Sequence, residues 1–155
     1  TCMYSGAVKN ADGSLTGWRS FDSPREAVAA NAFLTQQDVN LLNREIIKTA
    51  VDRALSRVIA RHGIVPTDVD WFLPHYSSDF FREPLRRRME EIGFSIPPGR
   101  WFSNLATKGN TGSASIFILL EELFHSGRLR KGERLLCMIP ESGRFSMAYM
   151  LLTVV

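Results

Sequence analysis

The sequence predicts an α/β protein, a mostly parallel mixed sheet layered between helices on both faces and closed by a C-terminal antiparallel hairpin. Three observations carry that expectation. First, two short apolar runs stop at polar residues and are each followed by a helical pattern, as in Asp70-Trp71-Phe72-Leu73-Pro74-His75-Tyr76-Ser77-Ser78 and at Thr107-Lys108-Gly109-Asn110-Thr111-Gly112-Ser113-Ala114-Ser115. Second, Val39, Leu42, Ile46, Ala50, Ala54, Leu55 and Val58 recur at spacings of three and four, which gives a long helix one buried stripe. Third, the apolar run from Arg134 to Ile139 reverses at Pro140-Glu141-Ser142-Gly143-Arg144 into a last strand from Phe145 to Val155. Strands alternating with helices make a layered sheet, and the closing reversal adds an antiparallel edge.

The chain of 155 residues fits one domain, 1–155, large enough to bury about 70% of the surface its unfolded form exposes. Hydrophobic residues are 45% and charged residues 23%, which excludes a disordered or fibrous protein. A net charge of +3 is too small to argue for nucleic acid, and none is expected as a partner. No apolar run reaches the roughly 18 residues that span a bilayer, and the first residues lack a signal-peptide pattern, so no membrane partner and a cytoplasmic location are expected. The two cysteines, Cys2 and Cys137, share no metal-site or disulfide spacing. Cys137, inside Leu135-Leu136-Cys137-Met138-Ile139, reads as a small buried hydrophobe. A start at Thr1 running straight into strand-like residues suggests a piece of a longer protein.

In chain order, a strand through Val8 meets a turn at Asp12-Gly13, and a second strand is expected from Leu15 to Phe21. The Ala-rich stretch from Arg25 to Phe33 is ambiguous and reads as loop with a helical turn. Thr35 is the expected N-cap of the long helix, with Asp38 three residues on as an acidic capping box. Arg57, Arg61 and His62 crowd the last turn before Gly63, so His62 is a helix-end charge rather than a ligand. The strand Val69 to Leu73 leads to His75. Ser77, Ser78 or Asp79 can cap the helix that carries Phe81, Leu85, Met89 and Ile92, and Pro84 kinks that helix unless it lies in the first turn. Pro97-Pro98-Gly99 precedes a short strand from Arg100 to Asn104. The helix from Thr111 to Ser126 is apolar nearly all round, which requires cover on several sides.

The candidate site rests on the first observation. Open α/β sheets bind ligands where strands end, and here one strand exit offers the His75 imidazole and another the Asn110 carboxamide. Both are hydrogen-bond donors suited to holding a developing oxyanion. A single histidine after a strand is usually structural; the pair, each at the exit of its own strand, is what points to chemistry. The helix after His75 bears Arg82, Arg86, Arg87 and Arg88, a docking surface for an acidic partner.

Trp71-Phe72-Leu73-Pro74-His75, then Lys108-Gly109-Asn110-Thr111-Gly112-Ser113-Ala114-Ser115, then Gly132-Glu133-Arg134-Leu135-Leu136 and a closing hairpin, together resemble the C-terminal half of a β-ketoacyl-acyl carrier protein synthase III, a thiolase-like enzyme. The resemblance runs from about Thr35 to Val155, and residues 1–34 match it only loosely. It implies a thiolase-like half whose N-terminal counterpart carries a Cys nucleophile, with His75 and Asn110 on the family's His and Asn positions. It also implies a decarboxylative Claisen condensation of an acyl thioester with malonyl-acyl carrier protein. Coenzyme A or carrier-protein thioesters are then the substrates, with no permanently bound cofactor and no metal. Expected partners are the acyl carrier protein, docked by the arginines, the N-terminal half, and a second copy in a homodimer when full length. By the same resemblance the excised half is inactive, and the Thr111 to Ser126 helix is one of a pair buried between two sheets.

The sequence departs from the family pattern at three places. Ser78 stands where the family has an Asn three residues after the His, and a hydroxyl there would support the imidazole. Ser142-Gly143-Arg144 replaces a glycine-rich turn, with Gly143 keeping the turn's conformational freedom. Thr35-Gln36-Gln37-Asp38-Val39-Asn40 replaces a stretch that contributes a Gly and a Phe beside the acyl channel. These changes suggest a specialised polyketide or secondary-metabolite branch rather than housekeeping fatty-acid synthesis. A competing reading keeps the fold and loses the reaction: a non-catalytic partner subunit or scaffold of a synthase complex.

Overall fold

A computed structural model describes residues 3–141 and 143–155. The N-terminal third forms small antiparallel pairs. β1 (Met3–Tyr4) pairs with β4 (Gln36–Gln37), and β2 (Ala7–Lys9) with β3 (Leu15–Gly17). The Asp12 carboxylate accepts the Ser14 N–H at 2.9 Å and stiffens the expected Asp-Gly turn. The strand expected from Leu15 to Phe21 stops at Gly17, because Trp18–Ser20 curls into a 3-10 turn.

Two local expectations change. The helical turn read within the Ala-rich stretch is a short helix, α1 (Pro24–Ala29), that begins one residue earlier at Pro24. Ser23 caps it by accepting the Glu26 N–H at 3.2 Å, and Pro24 takes the first helical position, where its missing N–H costs nothing. Thr35 does not cap the long helix. Gln36 and Gln37 are drawn into the ladder with β1, so α2 (Val39–Lys48) starts at Asp38, whose carboxylate accepts the Leu41 N–H at 3.0 Å and pairs with Lys9.

From α2 the chain continues through a π-helical segment, Thr49–Leu55, into α3 (Ser56–His62). The main sheet orders its strands β5 (Trp71–Pro74), β6 (Arg134–Glu141), β7 (Ser146–Thr153), with β5 and β6 parallel and β6 and β7 antiparallel. The strand expected from Arg100 to Asn104 contracts to a single parallel bridge between Phe72 and Trp101. Pro97 and Pro98 offer no N–H to a ladder, and Pro98–Arg100 turns as a 3-10 segment instead. α4 (Arg82–Glu91) follows a short 3-10 turn, so Pro84 falls in the first helical turn and does not kink it. α5 (Leu105–Lys108) and α6 (Ser115–His125) complete the order.

Strand alternation divides the core between the faces of the sheet. Phe72, Leu136 and Met138 join Leu42, Ile46, Leu55, Leu85 and Met89 from the long helix and α4. Leu73, Leu135 and Cys137 join Ile116, Leu119 and Leu123 of α6. Helices therefore cover both faces. On the far side of α6, Phe117 and Phe124 are each 67% exposed. No helix among the described residues is long and apolar enough to cross a membrane.

Candidate active site

β5 ends in Pro74, and the next residue continues its pairing: the His75 N–H donates to the Met138 carbonyl at 2.9 Å. That bond fixes the backbone that carries the imidazole. The residue is 5% exposed, and none of the described hydrogen bonds uses its ring. Burial lowers its pKa from the ordinary value of 6.5, so the ring is neutral at pH 7.

Asn110 reaches the same place from a different element. It sits between Gly109 (φ 72°) and Gly112 (φ 62°), two left-handed positions where a β-carbon is disfavoured, and they let the loop fold back tightly before α6. The Asn110 Oδ1 accepts the Gly112 N–H at 2.9 Å, and none of the described hydrogen bonds uses its amide NH₂. Ser115 secures the loop to the helix: its Oγ accepts the Thr111 N–H at 3.0 Å and lies 2.9 Å from the Thr111 Oγ1.

His75 and Asn110 line one cavity of about 490 Å³. Leu42, Ile46, Ala50, Phe81, Leu85 and Met138, all buried, make its hydrocarbon wall. Exposed Gln37, Ser77, Ser113 and Glu141 stand at its rim. His75 is buried and Asn110 exposed, and two neutral donors that line one chamber and meet on a carbonyl oxygen can stabilise negative charge on it.

The other sequence-derived candidates fall elsewhere or have different partners. Ser78 is a cap, its Oγ accepting the Phe80 N–H at 3.3 Å, and Ser77 rather than Ser78 lines the cavity. The Gly143 N–H donates to the Glu141 Oε1 at 2.6 Å, and the Arg144 N–H to its Oε2 at 3.0 Å. A β-carbon at Gly143 would lie 2.6 Å from that oxygen, the tip of a side chain free to move aside, and the left-handed angle of the turn falls on Phe145 (φ 56°), so the turn does not require glycine for its backbone at 143. Arg86 pairs with Glu83 and Glu90, Arg87 with Glu83, and Arg88 with Asp52 and Glu91. The Arg86 and Arg87 guanidinium groups hold the Glu83 carboxyl down at about 2. Arg82 is exposed and has no ion pair among the described residues. Burial pushes the Cys137 thiol up to about 12, which removes it as a nucleophile, and Cys2 and Ser142 lie outside the described residues.

Tyr76, Glu141 and the wall residues Leu42, Ile46 and Ala50 were not singled out by sequence reasoning as site residues. The last three belong to the apolar stripe of the long helix, and periodicity does not distinguish a side chain that fills the core from one that borders a void.

The layered half-sheet with its strand-end cavity is thiolase-like. The synthase III of Thermus thermophilus superposes with a TM-score of 0.69 over 99% of this chain and 41% of its own, at 22% identity. OleA of Xanthomonas campestris superposes with a TM-score of 0.67 over 79% of this chain and 34% of its own, at 25% identity. Residues 59–152 match the family described as 3-oxoacyl-[acyl-carrier-protein (ACP)] synthase III C terminal, and the chain belongs to that family. Among curated relatives, the β-ketoacyl-[acyl-carrier-protein] synthase III of Gloeobacter violaceus is 30% identical over 131 residues, 79% of this chain and 38% of the relative. That of Chlamydia pneumoniae is 34% identical over 96 residues, 60% of this chain and 27% of the relative. The chain thus spans well under half the length of these relatives.

Proposed function

We propose that this chain supplies the His/Asn part of the site of a condensing acyltransferase that joins an acyl thioester to a malonyl thioester with loss of carbon dioxide. The observation that carries the proposal is the convergence of His75 and Asn110 on one largely apolar cavity. In this reading the acyl group first moves to a cysteine in the N-terminal half, which divides one difficult step into two. The malonyl carboxylate then leaves as carbon dioxide, and the electron pair of the broken carbon–carbon bond becomes an enolate. The neutral His75 ring N–H and the Asn110 amide donate to the enolate oxygen. The enolate carbon attacks the acyl carbonyl and the cysteine thiolate departs.

Membership of the family and the names of the synthase relatives support this reading. Carrier-protein docking falls first to Arg82, since Arg86, Arg87 and Arg88 already face carboxylates of their own molecule. In the full-length protein, Asn110→Ala is expected to lower malonyl decarboxylation by about 10²–10³ while sparing acylation of the nucleophile. Radiolabelled acyl transfer and carbon dioxide release, measured separately, check this. Equal loss of both steps would make Asn110 a structural residue and defeat the proposal.

A further inference from the structure

His75 lines two cavities. One is the large chamber it shares with Asn110, and the other is a space of about 10 Å³ that it shares with Ser103, Asn104, Gly109 and Ser115. That volume suits a single water molecule, and Asn104 and Ser115 are buried polar residues of the kind that hold one. Asn104 is committed at one end only. It stands at the N-cap of α5, where an Asn ordinarily caps with its side-chain oxygen, yet it makes no side-chain cap bond. Its Nδ2 instead donates to the Glu122 Oε2, on α6, at 2.7 Å. A carboxylate only accepts, so this contact fixes which end of the carboxamide is nitrogen, and none of the described hydrogen bonds uses the remaining oxygen.

We infer that Asn104, oriented by Glu122, is a positioning residue that acts through one water in the small cavity to hold the bare ring nitrogen of His75, so that the ring N–H is turned toward the chamber of Asn110. This rests on the condensing-enzyme reading. A neutral imidazole has one N–H and one bare nitrogen, and donation to an enolate oxygen beside Asn110 uses the N–H. The bare nitrogen then needs a donor, which the Asn104 Oδ1 is not. A water meets both acceptors, giving one hydrogen to Oδ1 and the other to the ring. The Ser115 Oγ already accepts the Thr111 N–H at 3.0 Å, and with the Thr111 Oγ1 donating to it as well its own hydrogen is left for the water oxygen. The water then makes three hydrogen bonds, the usual number for a buried one.

The test uses the full-length protein with nitrogen-15 in its histidine rings, read by NMR at about pH 8, where the ring is neutral. The His75 signals are assigned by their loss in His75→Gln. The wild type is expected to show one tautomer, with one ring nitrogen protonated and the other bare. Asn104→Ala, which forfeits no cap bond, is expected to give a mixture, and Asn104→Leu, which keeps the volume and excludes the water, carries the test if the alanine variant does not fold. An even mixture halves the fraction with its N–H forward, so carbon dioxide release from a malonyl thioester is expected to fall about twofold or more relative to acylation of the nucleophile. A mixture in the wild type, or a single tautomer kept in a folded variant, overturns the inference while leaving the reaction standing. Mixed tautomers with no loss of carbon dioxide release overturn it as well. If the tautomer responds as expected but the wild type releases no carbon dioxide, the positioning role stands and the condensing reading fails.

Discussion

His75 is a buried imidazole whose ring is used by none of the described hydrogen bonds, and burial lowers its pKa below 6.5. The unfolded chain takes up a proton near that ordinary value, while the folded chain resists it. Acid therefore favours unfolding. The stabilising difference is complete above about pH 6.5 and is lost as pH falls from there toward the lower folded value. Denaturant midpoints of the wild type are expected to drop across this window more steeply than those of His75→Gln, and parallel pH curves for the two would contradict the assignment. A neutral ring also suits an N–H donor, since proton donation to an enolate oxygen requires no imidazolium. The expectation that a His and an Asn each leave a strand holds for His75 alone: Asn110 follows α5, and the strand expected before it is a single bridge at Trp101, yet both residues line one cavity. The role of Ser78 was not legible, because the same hydroxyl that could support an imidazole is also a good helix cap, and its neighbour Phe80 N–H claims it.

At the level of elements, α4 shows how a charge cluster in sequence can be mostly consumed locally. Glu83, Glu90 and Glu91 lie three and four residues from the arginines they meet, so the i,i+3 and i,i+4 geometry of the helix pairs them. Arg82, at the first helical position, lies at the wrong end of the helix dipole for a cation, so its placement gains nothing from the helix. Arg82→Ala is expected to raise KM for carrier-linked malonyl relative to coenzyme A-linked malonyl several-fold. Equal KM changes for both substrates would remove Arg82 from docking. The long helix teaches a second lesson. Its apolar stripe foretold a buried face, but the π segment is invisible to a period of three and four, because it depends on a tyrosine 99 residues away along the chain. Likewise α2 begins at Asp38 rather than Thr35 because β1, far upstream in the fold, competes for Gln36 and Gln37.

On the scale of the molecule, the order of strands and helices followed from alternation of apolar runs and punctuation, and the sheet has the expected parallel pair with an antiparallel edge. The strand from Arg100 to Asn104 contracted because prolines before it left only one bridge to Phe72. All-round apolarity of α6 is met on one side by the sheet, while Phe117 and Phe124 stand exposed on the other. The proposed N-terminal half would cover them. Co-expressed with that half, the chain is expected to co-purify with it, and Phe117→Glu with Phe124→Glu is expected to abolish the association; retention of the complex would place the interface elsewhere.

The convergence of two donors on one oxygen is tested most directly by a crystal structure of the full-length protein with a non-hydrolysable malonyl thioester analogue. The account predicts the analogue's carbonyl oxygen within about 2.7–3.2 Å of both a His75 ring nitrogen and the Asn110 Nδ2. A carbonyl held by only one of them, or bound outside their cavity, would contradict it.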